Sequence, residues 1–175
     1  MKTVWIALLC SIVLSAQAAD EVRPGLIAEY YEFDTDVSDF PKITDEKKPS
    51  IRRVEKQVFV ENCESNFNNT NIDKNFYARW TGSLKIDKPG NYVFFLESDD
   101  GSRLYIDGKL IVDNPGSHPM EKKQGAATLA PGQHDIKIEF FQGNGGMGCK
   151  FSWVQPGKNE EPLNETTLSH KADAE

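Results

Sequence analysis

Along most of this chain apolar and polar residues alternate with a period of two, and nowhere do they recur with a helical period. Phe76 to Ile86 is the cleanest case. Phe76, Ala78, Trp80, Leu84 and Ile86 fall on one face, and Tyr77, Arg79, Thr81, Ser83 and Lys85 on the other. That pattern predicts a strand with one buried and one wet face. His134 to Gln142 repeats it, with Ile136, Ile138 and Phe140 inward. Cys149, Phe151 and Trp153 occupy alternate positions of a last clear strand. Tyr92 to Leu96 is apolar on both faces and reads as a central strand.

Turn chemistry separates these runs. Asp107-Gly108 stands between Leu104-Tyr105-Ile106 and Leu110-Ile111-Val112, which predicts a tight hairpin with both turn residues at positive φ. Asp87 to Asn91 and Pro131-Gly132 are further turns. Leu26 to Tyr31, Gln57 to Val60 and Ala126 to Leu129 add shorter strands, and Leu163 and Leu168 suggest an edge segment. Residues 32–50, 62–75 and 114–124 read as loops, the second Asn-rich and containing Cys63. Eight or so short strands with turns between them give an all-β antiparallel sandwich.

The first residues follow another logic. Lys2, the apolar run Val4 to Leu14 and Ala16-Gln17-Ala18 form a basic, apolar and small-x-small sequence, the layout of a secretory signal peptide. The run is shorter than the roughly 20 residues that a membrane-spanning helix needs. The expected organisation is a signal at 1–18, an extension at 19–24, one domain at 25–170 and a tail at 171–175, in a secreted or periplasmic protein. Loss of Lys2 with the signal takes the formal net charge from −7 to −8. That charge argues against nucleic acid or anionic lipid as a partner and is compatible with cation binding, and with no later apolar run long enough to span, no membrane insertion is expected. Cys63 and Cys149 then remain, and an even count in an exported chain predicts one disulfide, two separate thiols being the alternative.

Three motifs bear on chemistry. Gly143-Asn144-Gly145-Gly146-Met147-Gly148 matches a dinucleotide fingerprint as a string, but a strand follows it where the fingerprint requires a helix. Glu97, Asp99, Asp100 and Glu139 include no pair fixed at a working separation for glycoside hydrolysis, and the three histidines are scattered, so an enzyme is the weaker hypothesis. Asp99-Asp100-Gly101 ends a very apolar strand. Consecutive strand residues point to opposite faces, so the two carboxylates converge only if the peptide between them is cis or sharply turned. A hard cation would suit such a pair; the plainer reading is a solvated turn.

At Trp80-Thr81-Gly82, the Tyr92 strand and Ser98-Asp99-Asp100-Gly101-Ser102-Arg103-Leu104-Tyr105-Ile106-Asp107-Gly108, the sequence resembles the protective-antigen-fourteen domain, a β-sandwich of toxins, yeast flocculins, glycosidases and bacterial exported proteins. Gly25 to Tyr31 is similar to its opening strand, and Ile136 to Trp153 to its closing pair. In sugar-binding members an Asp-Asp pair holds calcium with an Asn from a nearby loop, and the ion takes vicinal hydroxyls of a sugar. The resemblance implies that Asp99 and Asp100 are metal and carbohydrate ligands, with Asn144 as the loop residue and Gln142 its rival. The expected partner is a glycan or glycoprotein surface. A structural or protein-interaction domain is the alternative, favoured by the lack of a Trp in any predicted loop.

Overall fold

The structure, a computed structural model, describes residues 21–174; the signal-peptide expectation lies outside them. Thirteen strands follow in chain order: β1 (Val22–Pro24), β2 (Leu26–Glu32), β3 (Ile51–Glu55), β4 (Phe59–Cys63), β5 (Phe76–Ile86), β6 (Gly90–Asp99), β7 (Ser102–Ile106), β8 (Lys109–Asn114), β9 (Glu121–Leu129), β10 (Gly132–Gln142), β11 (Met147–Val154), β12 (Glu160–Pro162) and β13 (Leu168–Lys171). Every pairing is antiparallel. Eight strands form one sheet in the order β1-β13-β5-β10-β7-β8, with β2 beside β5 and β3 beside β2. Five form the other, in the order β12-β11-β6-β9, with β4 beside β11. The all-β sandwich expected from the alternation is the fold.

The inward residues of the two sheets meet in one core. Trp80, Leu84, Ile138 and Phe140 of the larger sheet are fully buried with Phe94, Leu96 and Phe151 of the smaller. Trp80 and Trp153 are both core residues, 0% and 3% exposed. Below them Glu55 is a buried carboxylate that accepts hydrogen bonds from Tyr30 Oη (2.6 Å), Trp80 Nε1 (2.8 Å) and Arg53 Nε (2.8 Å). A buried charge is tolerable only when it is paired and hydrogen-bonded in this way.

Several boundaries differ from the sequence reading. β1, which lies in the expected extension, pairs with β13, whose last residue Lys171 opens the expected tail, so both are part of the larger sheet. β9 begins at Glu121, inside the expected loop, because Glu121-Lys122-Lys123-Gln124 pairs with the end of β6 despite its polarity. The Asn-rich segment contains one helical turn, Phe67–Asn69, and Asn66, Asn68, Asn69, Asn71 and Asn75 all have positive φ. Asparagine tolerates that left-handed region better than other non-glycine residues, which accounts for the composition.

The expected disulfide is corrected: Cys63 and Cys149 are free. They lie on paired strands, but Cys63 opposes Met147 and Cys149 opposes Val60, with a register shift between. Cys63 Sγ is directed at the Met147 carbonyl oxygen at 3.5 Å. Burial pushes both thiols above the usual range, which keeps them protonated and weakly nucleophilic.

The outer face of the larger sheet carries an alternating row of charge. Arg52, Glu29, Arg79, Glu139, Arg103 and Asp113 are successive register partners across six strands. Arg79 reaches Glu29 at 2.6 Å and Arg103 reaches Asp113 at 2.8 Å. Pairs this accessible add little stability individually, yet a one-residue slip would bring apolar side chains into the row.

The β7–β8 turn adopts positive φ at Asp107 (50°) and Gly108 (75°), as the Asp-Gly pair predicts. His134 holds it, with Nδ1 on Asp107 Oδ2 at 2.7 Å and Nε2 on the Ala130 carbonyl oxygen at 2.9 Å. The Asp107 hydrogen bond, then that of Ala130, holds the imidazolium form above the ordinary value of 6.5. A base with a raised folded pKa contributes stability that is complete below the unfolded value and lost as pH rises through the folded one. We expect wild-type stability to fall between pH 6.5 and the folded value, and His134→Gln to remove that decline. Urea midpoints across neutral pH measure it; parallel profiles for the two proteins would count against the assignment.

Candidate functional site

Three chain crossings between the sheets meet at one end of the sandwich. Residues 99–102 carry the chain from β6 in the smaller sheet to β7 in the larger. Residues 114–121 return it from β8 to β9, and 142–147 carry it from β10 to β11. Asp99 and Asp100 form the first crossing, and the peptide between them is cis. Gly101 is required here: a Cβ would stand 2.4 Å from the Phe141 ring and 3.1 Å from the Asn114 carbonyl oxygen. Beneath the turn, Ser98 Oγ and Ser102 Oγ share a hydrogen bond of 2.7 Å, and Asn114 Nδ2 donates to Ser98 Oγ at 3.1 Å.

The two carboxylates have different surroundings. Asp100, 5% exposed, accepts the His118 backbone N–H on Oδ1 at 3.0 Å and the Gly143 N–H on Oδ2 at 2.8 Å. It therefore ties its own crossing to the other two. Asp99, 9% exposed, accepts no hydrogen bond among the described residues. Burial, and then the neighbouring Asp100 charge, push its carboxyl above the ordinary carboxylate range; His118 opposes them. A carboxylate with no donor, beside another, is disfavoured in its charged form unless a positive charge lies near.

The glycine-rich loop lies against this pair. Asp99 Oδ2 is 2.9 Å, and Asn62 Oδ1 3.1 Å, from where a Cβ on Gly146 would be. A Cβ on Gly143 would be 2.7 Å from the Val37 carbonyl oxygen. The loop is thus glycine-rich because backbone packs directly on the acidic turn. Gln142 is fully buried and spends its amide internally: Oε1 accepts the Asp100 N–H at 3.1 Å, and Nε2 donates to the Gly146 carbonyl oxygen at 2.9 Å. Its place is under the loop, holding it to the turn. Asn144 is exposed at the tip, between Gly143 and Gly145.

Asn62, His118 and Val37 were not singled out by the sequence. Asn62 ends up beside Asp99 because β4 pairs with β11, and nothing local in the sequence announces that pairing. His118 Nδ1 lies 2.8 Å from the Pro119 carbonyl oxygen and must donate to it, while Nε2 is buried without a partner. No group of three or more His, Cys, Asp or Glu is placed to hold a metal among the described residues. The polar side chains that border the glycine-rich loop offer hard oxygens, namely the Asp99 and Asp100 carboxylates and the Asn62 amide, with Asn144 on the loop itself. That set suits calcium, with water completing its six to eight oxygens, better than a softer transition metal.

The PA14 domain model matches residues 22–166. The chain belongs to the PA14 domain family. Among curated relatives, the anti-sigma-I factor RsgI3 of Acetivibrio thermocellus is 30% identical over 99 residues, which is 55% of this chain and 15% of that protein. The chain thus spans less than a sixth of that relative. Among solved structures, the PA14 domain of the MpAFP antifreeze protein superposes with a TM-score of 0.75 at 15% identity, covering 87% of this chain and 93% of that one. A PA14 sugar-binding domain from an RTX adhesin gives 0.72 at 17% identity, covering 85% and 99%. At these identities the two structures establish the fold alone.

Proposed function

We propose that this PA14 domain is a non-catalytic carbohydrate-binding module of an exported protein. Calcium held by Asp99, Asp100 and Asn144, with the Asn62 oxygen near, would take vicinal hydroxyls of a glycan. The observation that carries the reading is the unequal pair: Asp100 is fixed by one backbone N–H on each oxygen and keeps a lone pair on each for an ion, and Asp99 beside it has no donor among the described residues. The solved PA14 relative described as sugar-binding supports it. In this reading Gln142 is a positioning residue, since its amide already joins the turn to the loop.

A second reading, a structural or protein-interaction domain with no sugar ligand, has one observation in its favour. Both Trp80 and Trp153 are core residues, so neither offers a stacking platform to a sugar ring. A glycan array probed with the exported protein, with and without a chelator, separates the two. We expect binding that the chelator abolishes and Asp99→Asn loses. No glycan retained in calcium would leave the second reading standing.

A further inference from the structure

A cleft of about 480 Å³ lies on the outer face of the larger sheet, beneath the long segment that joins β2 to β3. Its floor is Glu29, Tyr31, Arg52 and Arg79, at one end of the alternating charge row. Its wall comes from residues 43–49, including Lys47 and Lys48. Four cationic side chains therefore face two lining acids, Glu29 and Asp45, on a protein whose net charge is −7. The positive excess is local and opposite in sign to the rest of the molecule.

The cations retain unused donors. Glu29 is shared by both guanidiniums, with Arg79 at 2.6 Å and Arg52 at 3.5 Å. Arg79 also donates to Tyr31 Oη at 3.1 Å, and Arg52 to the Ala174 carbonyl oxygen, through their Nη2 atoms. Their Nη1 atoms have no partner among the described residues. Lys47 Nζ donates to the Glu32 carbonyl oxygen at 2.9 Å and Lys48 Nζ to that of Asp45 at 3.4 Å. Neither ammonium meets a carboxylate among the described residues. Two forked guanidinium donors beside two ammoniums that meet only carbonyl oxygens and, for Lys47, the Phe33 ring make a receptor for carboxylate or sulfate oxygens.

We infer that this cleft binds the anionic group, carboxylate or sulfate, of an acidic glycan, independently of the acidic turn at Asp99. The two places are joined by one segment: Val37 packs on Gly143 and Phe40 on Phe141 (5.0 Å between ring centroids) before the chain reaches the cleft. The size of the cleft suits one sugar unit with its charged group, and the open side leaves the chain of the glycan free to continue.

The test is calorimetry of the exported protein in excess chelator with three oligosaccharides of equal length: an oligouronate, a sulfated one and a neutral one. We expect either or both acidic probes, and not the neutral one, to bind in the absence of calcium. Lys47→Ala with Lys48→Ala should weaken that binding about tenfold. Lys74→Ala with Lys109→Ala, an equal charge change at exposed lysines outside the cleft, should leave it within about twofold. Asp99→Asn should leave it unchanged, which separates failure here from failure of the calcium reading. Equal weakening by both lysine pairs would reduce the effect to net charge and overturn the inference. So would the absence of binding at millimolar probe, or inorganic sulfate binding as tightly as the sulfated sugar.

Discussion

Replacing Trp80 by Ala lowers folding stability by about 3–5 kcal/mol, the range for removing a buried aromatic ring. Trp80 is 0% exposed and meets Tyr30 edge-on, with ring centroids 6.1 Å apart. Its truncation opens a cavity between the sheets and takes one hydrogen bond from Glu55, which keeps Tyr30 and Arg53. Trp80→Phe preserves most of the volume and loses only the indole N–H, so about 1–3 kcal/mol is expected. Urea unfolding with unchanged m-value measures both. A Trp80→Ala protein of wild-type stability that had lost glycan binding would make the residue a binding platform and refute its place in the core.

The core was legible because burial imposes the period. Phe76, Ala78, Trp80, Leu84 and Ile86 were assigned to one face from alternation alone, and all five are buried. The hairpin at Asp107-Gly108 was legible because few residue pairs accept two positive φ values. What failed depended on pairing over distance. β9 starts in a polar stretch because its partner β6 supplies the ladder, and no side-chain pattern marks that. The cysteines were read as a bond from their number, whereas the β4–β11 register decides, and it sets Cys63 against Met147.

The candidate site divides the same way. The adjacent carboxylates and the glycine-rich loop were visible as residue types, and the structure brings the two strand ends together. Invisible was the division of labour. The sequence reading preferred Asn144 and kept Gln142 as its rival; in the structure Gln142 continues the inward alternation of β10 and is buried, while Asn144 sits beyond the strand end. Likewise Asp99 and Asp100 differ only through backbone N–H groups supplied by 118 and 143.

That division makes the two carboxylates separable by substitution. Asp99→Asn removes a charge that has no donor and is disfavoured by burial and by Asp100, so the metal-free fold should be as stable as wild type or slightly more so. Asp100→Asn exchanges an acceptor of two backbone N–H groups for an amide that can accept both on only one oxygen, and should cost about 1–3 kcal/mol. Calcium reverses the order of interest. A ligand at about 100 times its dissociation constant stabilises the protein that binds it by about 2.7 kcal/mol, so wild type should melt higher in calcium. Asp99→Asn should lose at least tenfold in calcium affinity and with it most of that shift, since charge count sets affinity at such sites. Thermal melts with and without calcium, and calorimetric titration of the metal-free proteins, give both halves. If Asp99→Asn takes up calcium like wild type, or wild type shows neither heat nor shift at millimolar calcium, the acidic turn is a clamp between crossings and not a metal site.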